Sequence, residues 1–347
     1  MQDGQNPMKH SANFYFLNNK RTYCYLGGIL FLGISAVLGI VLGSTTLTFA
    51  EIAEGFRNGF HMSSGARIFA YVRFPRTLAS LVCGAALAVS GAVIQGVLAN
   101  RLASPSIIGV NAGAGLAVTL CSAFGILGGW QLSVCAFFGA FASVMMVSLG
   151  AKHWGASRGT VILIGVAMNS LLGAISNTIT TFIPEVGMMS NDFKIGEFSA
   201  VTYPKLIPAA IIILAVIFIL RTLHNELDVL TLGEENAQGL GLNTAVMRTL
   251  FLMLAALLAG CAVSLAGLLS FVGLLIPHAV RRVVGSKSSD LIGLCALYGA
   301  GFVCLCDALA RTVFSPYEIP VGIIMAYLGA PFFVFILIKG KGGRSHD

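Results

Sequence analysis

Ten apolar blocks divide this 347-residue chain, at about 27–47, 77–98, 107–126, 131–150, 159–182, 205–221, 246–268, 270–284, 289–312 and 319–338. Most have roughly the 17–25 residues that carry a helix across the hydrocarbon core of a bilayer. Backbone in lipid must satisfy its own hydrogen bonds, so uninterrupted blocks of this length read as transmembrane helices. Only 10% of the residues are charged and 56% are hydrophobic. A soluble domain averages about 25% charged, so a mean hydropathy of +0.87 excludes that class. The 41 glycines allow helices to approach closely in lipid. The predicted fold is an all-α polytopic membrane protein of about ten transmembrane helices, the eighth short.

The domain plan that follows is a short segment 1–26, one membrane domain 27–338 and a tail 339–347. An even helix number puts both termini on one side. With the termini in the cytoplasm, seven basic residues fall outside: Arg57, Arg67, Arg73, Arg76, Lys194, Lys205 and Arg311. The other 14 of the chain's 21 fall inside, which fits the positive-inside rule. The net charge of +7 then reflects inner loops facing anionic lipid, not a nucleic-acid partner. Two connections are long. "FAEIAEGFRNGF" in the outer segment 48–76 has amphipathic helical spacing, and the inner segment 222–245 concentrates Glu226, Asp228, Glu234 and Glu235.

Seven of the eight cysteines lie inside apolar blocks without metal-ligand spacing, so they read as small packing residues, and no cofactor is expected. His278 follows Pro277 with no second histidine spaced to join it, and is assigned to packing. The polar residues singled out in the spans are uncharged: Ser90, Gln95, Asn169, Ser170, Ser176, Asn177, Thr178, Thr180 and Thr181. They either hydrogen-bond between helices or line a wet path, the latter reading resting on "MNSLLGAISNTITTF". Asp307 and Arg311, four apart, form an i,i+4 pair. An ion-coupled transporter needs ionisable groups near the midplane, and Asp307 is the one candidate. A membrane metalloprotease needs His-Glu-x-x-His, which the sequence lacks.

Five blocks carry a resemblance. "RFPRTLASLVCGAALAVSGAVIQGVLANRLASPSIIGVNAGAG" (73–115), "LTLGEENAQGLGL" (230–242), "GLLSFVGLLIPHAVR" (267–281), "DALARTVFSPYEIPVGI" (307–323) and "LGAPFF" (328–333) occur in one order. Together they resemble the permeases of ABC importers for iron–siderophore complexes, haem and vitamin B12. The resemblance covers about residues 30–338 and implies a type II importer architecture. It also implies a permease dimer, of two copies or of paralogues, in a bacterial or archaeal cytoplasmic membrane. Two ATPase subunits would drive it and an extracytoplasmic binding protein would supply it. No covalent chemistry is expected of the permease itself.

The resemblance also implies site residues. Arg73, Arg76 and Arg311 match arginines that face acidic residues of the binding protein, with Pro75 starting the helix and holding the first two at the surface. Gly233, Glu234, Glu235, Ala237, Leu240 and Gly241 fall in a segment that couples to the ATPase as two short helices with a glycine turn. Asn100 and Leu102 match an inner gate, where this chain has Arg101 in place of the family's proline. Asn169, Asn177 and Thr181 are assigned to the translocation path. Glu318 and Pro320 are expected to start the tenth helix.

Overall fold

A computed structural model of the chain describes residues 7–57, 62–126, 128–153 and 158–341, with side chains not described at 7–19, 152–153 and 336–341. The outermost parts of the predicted terminal segments, 1–6 and 342–347, lie outside the described residues. Among the described residues the regular elements are all helices. They are α1 (Pro7–Val41), α2 (Phe49–Arg57), α3 (Ser64–Ile68), α4 (Phe74–Val97), α5 (Val110–Ala123), α6 (Gly129–His153), α7 (Arg158–Phe182) and α8 (Pro184–Ile195). Then follow α9 (Tyr203–Thr222), α10 (His224–Thr231), α11 (Glu234–Gly239), α12 (Thr244–Ala266), α13 (Val272–Val284), α14 (Ser288–Thr312) and α15 (Val321–Lys341).

Seven described helices are long and apolar enough to cross a membrane: α1 from Lys20, the run α3–α4, and α6, α7, α9, α12 and α14. α5, α13 and α15 fall at the other three predicted spans, α5 and α13 being short. At 13 residues α13 reaches only about 20 Å, short of the roughly 30 Å hydrocarbon core. Burial then sorts the bundle. The apolar stretches of α4, α12 and α14 are 78%, 72% and 67% buried, while those of α1, α6, α7 and α9 stay between 17% and 33%. The first three therefore form the core, and the others present one side to lipid or to a partner.

Small residues explain why α4 is central. Ala79, Cys83, Ala86, Ala88 and Ala92 are all but fully buried on it. A Cβ at Gly84 would stand 2.2 Å from the Gly299 carbonyl oxygen of α14, and one at Gly91 2.0 Å from that of Gly273 in α13. Backbones thus touch where a larger side chain would hold them apart, the usual basis of helix association in lipid.

Pro75 does not start its helix. The helical path begins at Ser64 and passes through a π turn, Phe69–Arg73, before α4. There the Phe74 N–H donates to the Phe69 carbonyl, five residues back, so the widened turn accommodates a proline that lacks a donor. The amphipathic outer segment is helical over α2. Thr48 and Glu51 cap it reciprocally: the Thr48 N–H donates to Glu51 Oε2 at 2.8 Å, and the Glu51 N–H to Thr48 Oγ1 at 3.3 Å. Phe56, Phe69 and Phe74 then pack ring on ring, with centroids 4.9–5.8 Å apart.

Like α3, α8 was not foreseen from the sequence. Its backbone stitches three elements at the end of the bundle that also holds α2. Leu268 N–H donates to Phe193 O at 2.9 Å, Glu197 N–H to Ala266 O at 2.8 Å, and Gly322 N–H to Gly196 O at 3.2 Å.

Candidate functional site

The predicted site residues sit at two opposite ends of the bundle and along one face of α7. At the end predicted to face outward, the arginines do not form an open rim. Arg73, Arg76 and Arg311 are only 4%, 6% and 2% exposed, which corrects the expectation that they stand at the surface. Asp307, fully buried, lies between two of them: Arg76 Nη2 is 3.0 Å from Oδ1 and Arg311 Nη2 3.1 Å from Oδ2. The i,i+4 pairing of Asp307 with Arg311 is as the spacing predicts. Arg76 Nη1 also donates to Glu318 Oε2 at 2.7 Å, and the Ser44 hydroxyl to Glu318 Oε1 at 3.2 Å.

Arg73 has carbonyl partners instead. Its Nη1 donates to Ile40 O at 3.3 Å and Val41 O at 2.9 Å, and its Nη2 to the Thr45 backbone oxygen. Arg311 Nη2 reaches Gly39 O at 3.0 Å. The last carbonyls of α1 have no partner within their own helix, and a cation there also meets the negative end of the helix dipole. The two arginines therefore cap α1. Glu318 is the solvent-facing member of the cluster, and its role is ion pairing, not capping α15. Partial burial pushes its carboxyl up, but hydrogen bonds and charge from Arg76 and the Ser44 hydroxyl outweigh that and hold it below the usual range.

On α7 the polar residues divide. Ser170, Asn177, Thr178 and Thr181 are exposed and fall at i, i+7, i+8 and i+11, which is one helix face. Their hydroxyls are satisfied locally: Ser170 donates to Val166 O at 3.1 Å, Thr178 to Ala174 O at 2.9 Å and Thr181 to Asn177 O at 2.7 Å. Asn177 and Thr181, assigned to the path from the sequence, share this exposed polar stripe. Asn169 does not. Its Nδ2 donates to Ser106 O at 2.8 Å and Ile107 O at 3.0 Å, bolting α7 to the turn before α5. Ser176 also faces inward, 2.9 Å from the Thr119 hydroxyl.

At the opposite end, α4 terminates in a tight turn. Ala99 adopts φ +46°, and the Asn100 carboxamide oxygen accepts from the Leu102 N–H at 2.8 Å. Asn100 shapes this turn, Leu102 is 48% exposed at its tip, and Arg101 beside it is also exposed. Of the two short helices expected within 232–241, that segment holds α11, while the other, α10, precedes it. Gly233 at φ +110° joins them and Gly241 at φ +84° follows, conformations that side chains rarely adopt. Glu234 pairs with Arg248 of α12 at 2.6 Å. Ala237 is fully buried, while Glu235, Leu232 and Leu240 face solvent, the leucines 58% and 67% exposed.

The surroundings of α10 were not legible from its sequence. Leu227 and Leu230 are buried, and Leu227 and Thr231 lie over Gly96, one turn before the Asn100 turn. Asp228 Oδ1 accepts from the Ser288 N–H at 2.9 Å where α14 begins, and Arg158 Nη2 of α7 donates to Leu230 O at 2.6 Å. A second brace lies beside it. Arg281 of α13 donates to the Gln95 carboxamide oxygen and to Ala92 O, while Gln95 Nε2 donates to Gly273 O at 3.1 Å. Gln95, singled out above as a polar residue within a span, was its sequence signal, together with Arg281 in the last turn of α13. Among the described residues, no three His, Cys, Asp or Glu side chains converge as a metal site.

Known proteins resemble this chain along nearly its whole length. An uncharacterised ABC transporter permease of Bacillus subtilis, YvrB, is 35% identical over 95% of this chain and 97% of its own length. The hemin transport permease HmuU of Yersinia pestis is 31% identical, over 91% and 97%. The vitamin B12 import permease BtuC of Yersinia pseudotuberculosis is 32% identical, over 93% and 95%. A solved metal-chelate type ABC transporter in an inward-facing conformation superposes with a TM-score of 0.80 at 30% identity, over 92% of this chain and 99% of its own. Residues 30–339 match the FecCD transport family as a whole, and the chain belongs to that family of ABC importer permeases.

Proposed function

We propose that this permease moves an iron–siderophore complex across the cytoplasmic membrane, with haem and cobalamin as the rival cargoes. As a FecCD permease it is a multi-pass transport component and not an enzyme. The haem and B12 relatives are equally near, at 31% and 32% identity, so likeness alone does not select the cargo. The working unit is a permease dimer, from two copies or two paralogues, carrying two ATPase subunits and receiving cargo from an extracytoplasmic binding protein. Both termini face the cytoplasm.

The seating of α10 on α4 carries the reading. Leu232, Glu235 and Leu240 offer an apolar and acidic surface to an ATPase cleft, while the same short unit rests on Gly96. Motion of the ATPase is thus delivered to the turn at Asn100 and Leu102, which serves as the inner gate. The exposed stripe of Asn177, Thr178 and Thr181 faces the path at the dimer axis, where weak polar contacts pass a bulky chelate without holding it. At the outer end, Glu318 occupies Arg76 in the way a carboxylate of the docked binding protein would. Docking exchanges one carboxylate for another on the same guanidinium, which favours register over affinity. Asp307 is unsuited to ion coupling, because two guanidiniums at 3.0 and 3.1 Å already occupy its two oxygens in a buried cluster.

Co-reconstitution with the ATPase and the cargo-loaded binding protein tests this. ATP-dependent accumulation of a ferric siderophore, lost when either companion is omitted, is expected. Accumulation of haem or cobalamin alone would overturn the cargo, and uptake driven by a proton gradient without the ATPase would overturn the class.

A further inference from the structure

Two of the cysteines that the sequence assigns to packing face each other across a helix pair. α5 and α6 run antiparallel, and their backbones touch: a Cβ at Gly113 would lie 2.3 Å from the Gly139 carbonyl oxygen, and one at Gly139 2.5 Å from the Ala117 Cβ. One helical turn further along α5 from Ala117 is Cys121, and one turn back along α6 from Gly139 is Cys135. The register set by the glycines therefore opposes the two cysteines where the axes are close. Their side chains interact across the helix pair. Both are only partly buried, unlike Cys83, Cys261, Cys295, Cys304 and Cys306. They flank the connection 124–128, which the proposed orientation places outside the membrane, in the compartment where disulfides persist.

We propose that Cys121 and Cys135 form a disulfide that staples the outer ends of α5 and α6. A thiol–disulfide oxidoreductase of the cell exterior is the oxidant. One thiolate attacks its disulfide, giving a mixed disulfide, and the second displaces the enzyme's sulfur. The chain loses two protons and two electrons as its S–S bond forms, and the oxidant leaves as a dithiol. The opposed positions on touching helices suit the short Cα separation that a disulfide requires. The bridge ties α5 to α6, both of which pack against α7, so it restrains the wall of the proposed path.

The test counts thiols in protein taken from cells quenched with acid. A maleimide–polyethylene glycol reagent in denaturant should label six of the eight cysteines without reductant and all eight after it. The difference should vanish in both Cys121→Ser and Cys135→Ser, and reductant should lower the thermal midpoint of the parent but of neither variant. Equal labelling of eight cysteines with and without reductant would overturn the proposal. A membrane-impermeant phosphine applied to intact cells should open the bridge. If it opened only after lysis, the bridge would stand and the orientation would fall.

Discussion

Replacing Gly91 with alanine tests whether backbone contact between α4 and α13 organises the core. The new Cβ would meet the Gly273 oxygen at 2.0 Å and its carbonyl carbon and Cα at 2.5 Å, all backbone atoms with no rotamer to give. Restoring a contact of about 3.5 Å moves α13 by roughly 1.5 Å. Overpacking of this kind costs about 1–3 kcal/mol. The same shift breaks the Gln95–Gly273 bond, now 3.1 Å, and the Arg281–Ala92 bond, now 3.2 Å. Each is worth about 1 kcal/mol, more where the donor is charged. Alanine's better helix propensity returns roughly 0.5–1 kcal/mol. The net loss is about 2–4 kcal/mol by these three effects together. Gly115→Ala is the internal control, because its Cβ meets nothing within 4 Å. Denaturation of the purified protein in mixed micelles should show Gly91→Ala well below the parent and Gly115→Ala at or above it. Coincident curves for the two variants would refute the contact argument.

Other outcomes follow from the same geometry. Asp307→Asn leaves two buried guanidiniums without their shared carboxylate and should cost about 3–5 kcal/mol in the same denaturation assay. Glu235→Lys and Leu240→Arg alter exposed groups, so folding should hold while cargo-stimulated ATP hydrolysis by the complex falls at least tenfold. Ala237→Leu, at a fully buried site, should instead lower stability. Asn169→Ala should loosen the turn before α5 with no change of cargo preference, whereas Asn177→Asp should alter transport, as uptake assays with paired substrates can check. Glu318 has a carboxyl held below its usual range, so its contribution is present above the unfolded carboxylate pKa and lost as pH falls through the folded value. Unfolding followed from pH 7 downward should therefore separate parent from Glu318→Gln at neutral pH. The difference should shrink only below the ordinary carboxylate range.

The spans were legible because lipid imposes a single rule: long apolar runs with internally bonded backbone. The ion pair Asp307–Arg311 is local, so spacing alone reveals it. The helix α8 was hidden because it lies within a polar connection and its partners, Ala266 to Leu268 and Gly322, are remote in sequence. Burial of Arg76 was hidden for the same reason. Its carboxylates are 231 and 242 residues away, and an arginine at a helix mouth reads as exposed until they are located. Asn169 reads as a path residue within "MNSLLGAISNTITTF", yet the carbonyls it serves belong to another segment. Long-range pairing decided which predicted site residues are displayed and which brace the bundle.

Transmission from α10 to the turn at its neighbour's end is the step on which gating depends. In the reconstituted complex, with native cysteines replaced, a single Leu102→Cys should react with maleimide at rates several-fold different before and after ATP binding. Adding Glu235→Lys should erase that difference. A labelling rate at residue 102 indifferent to nucleotide, in a complex that still transports, would contradict it.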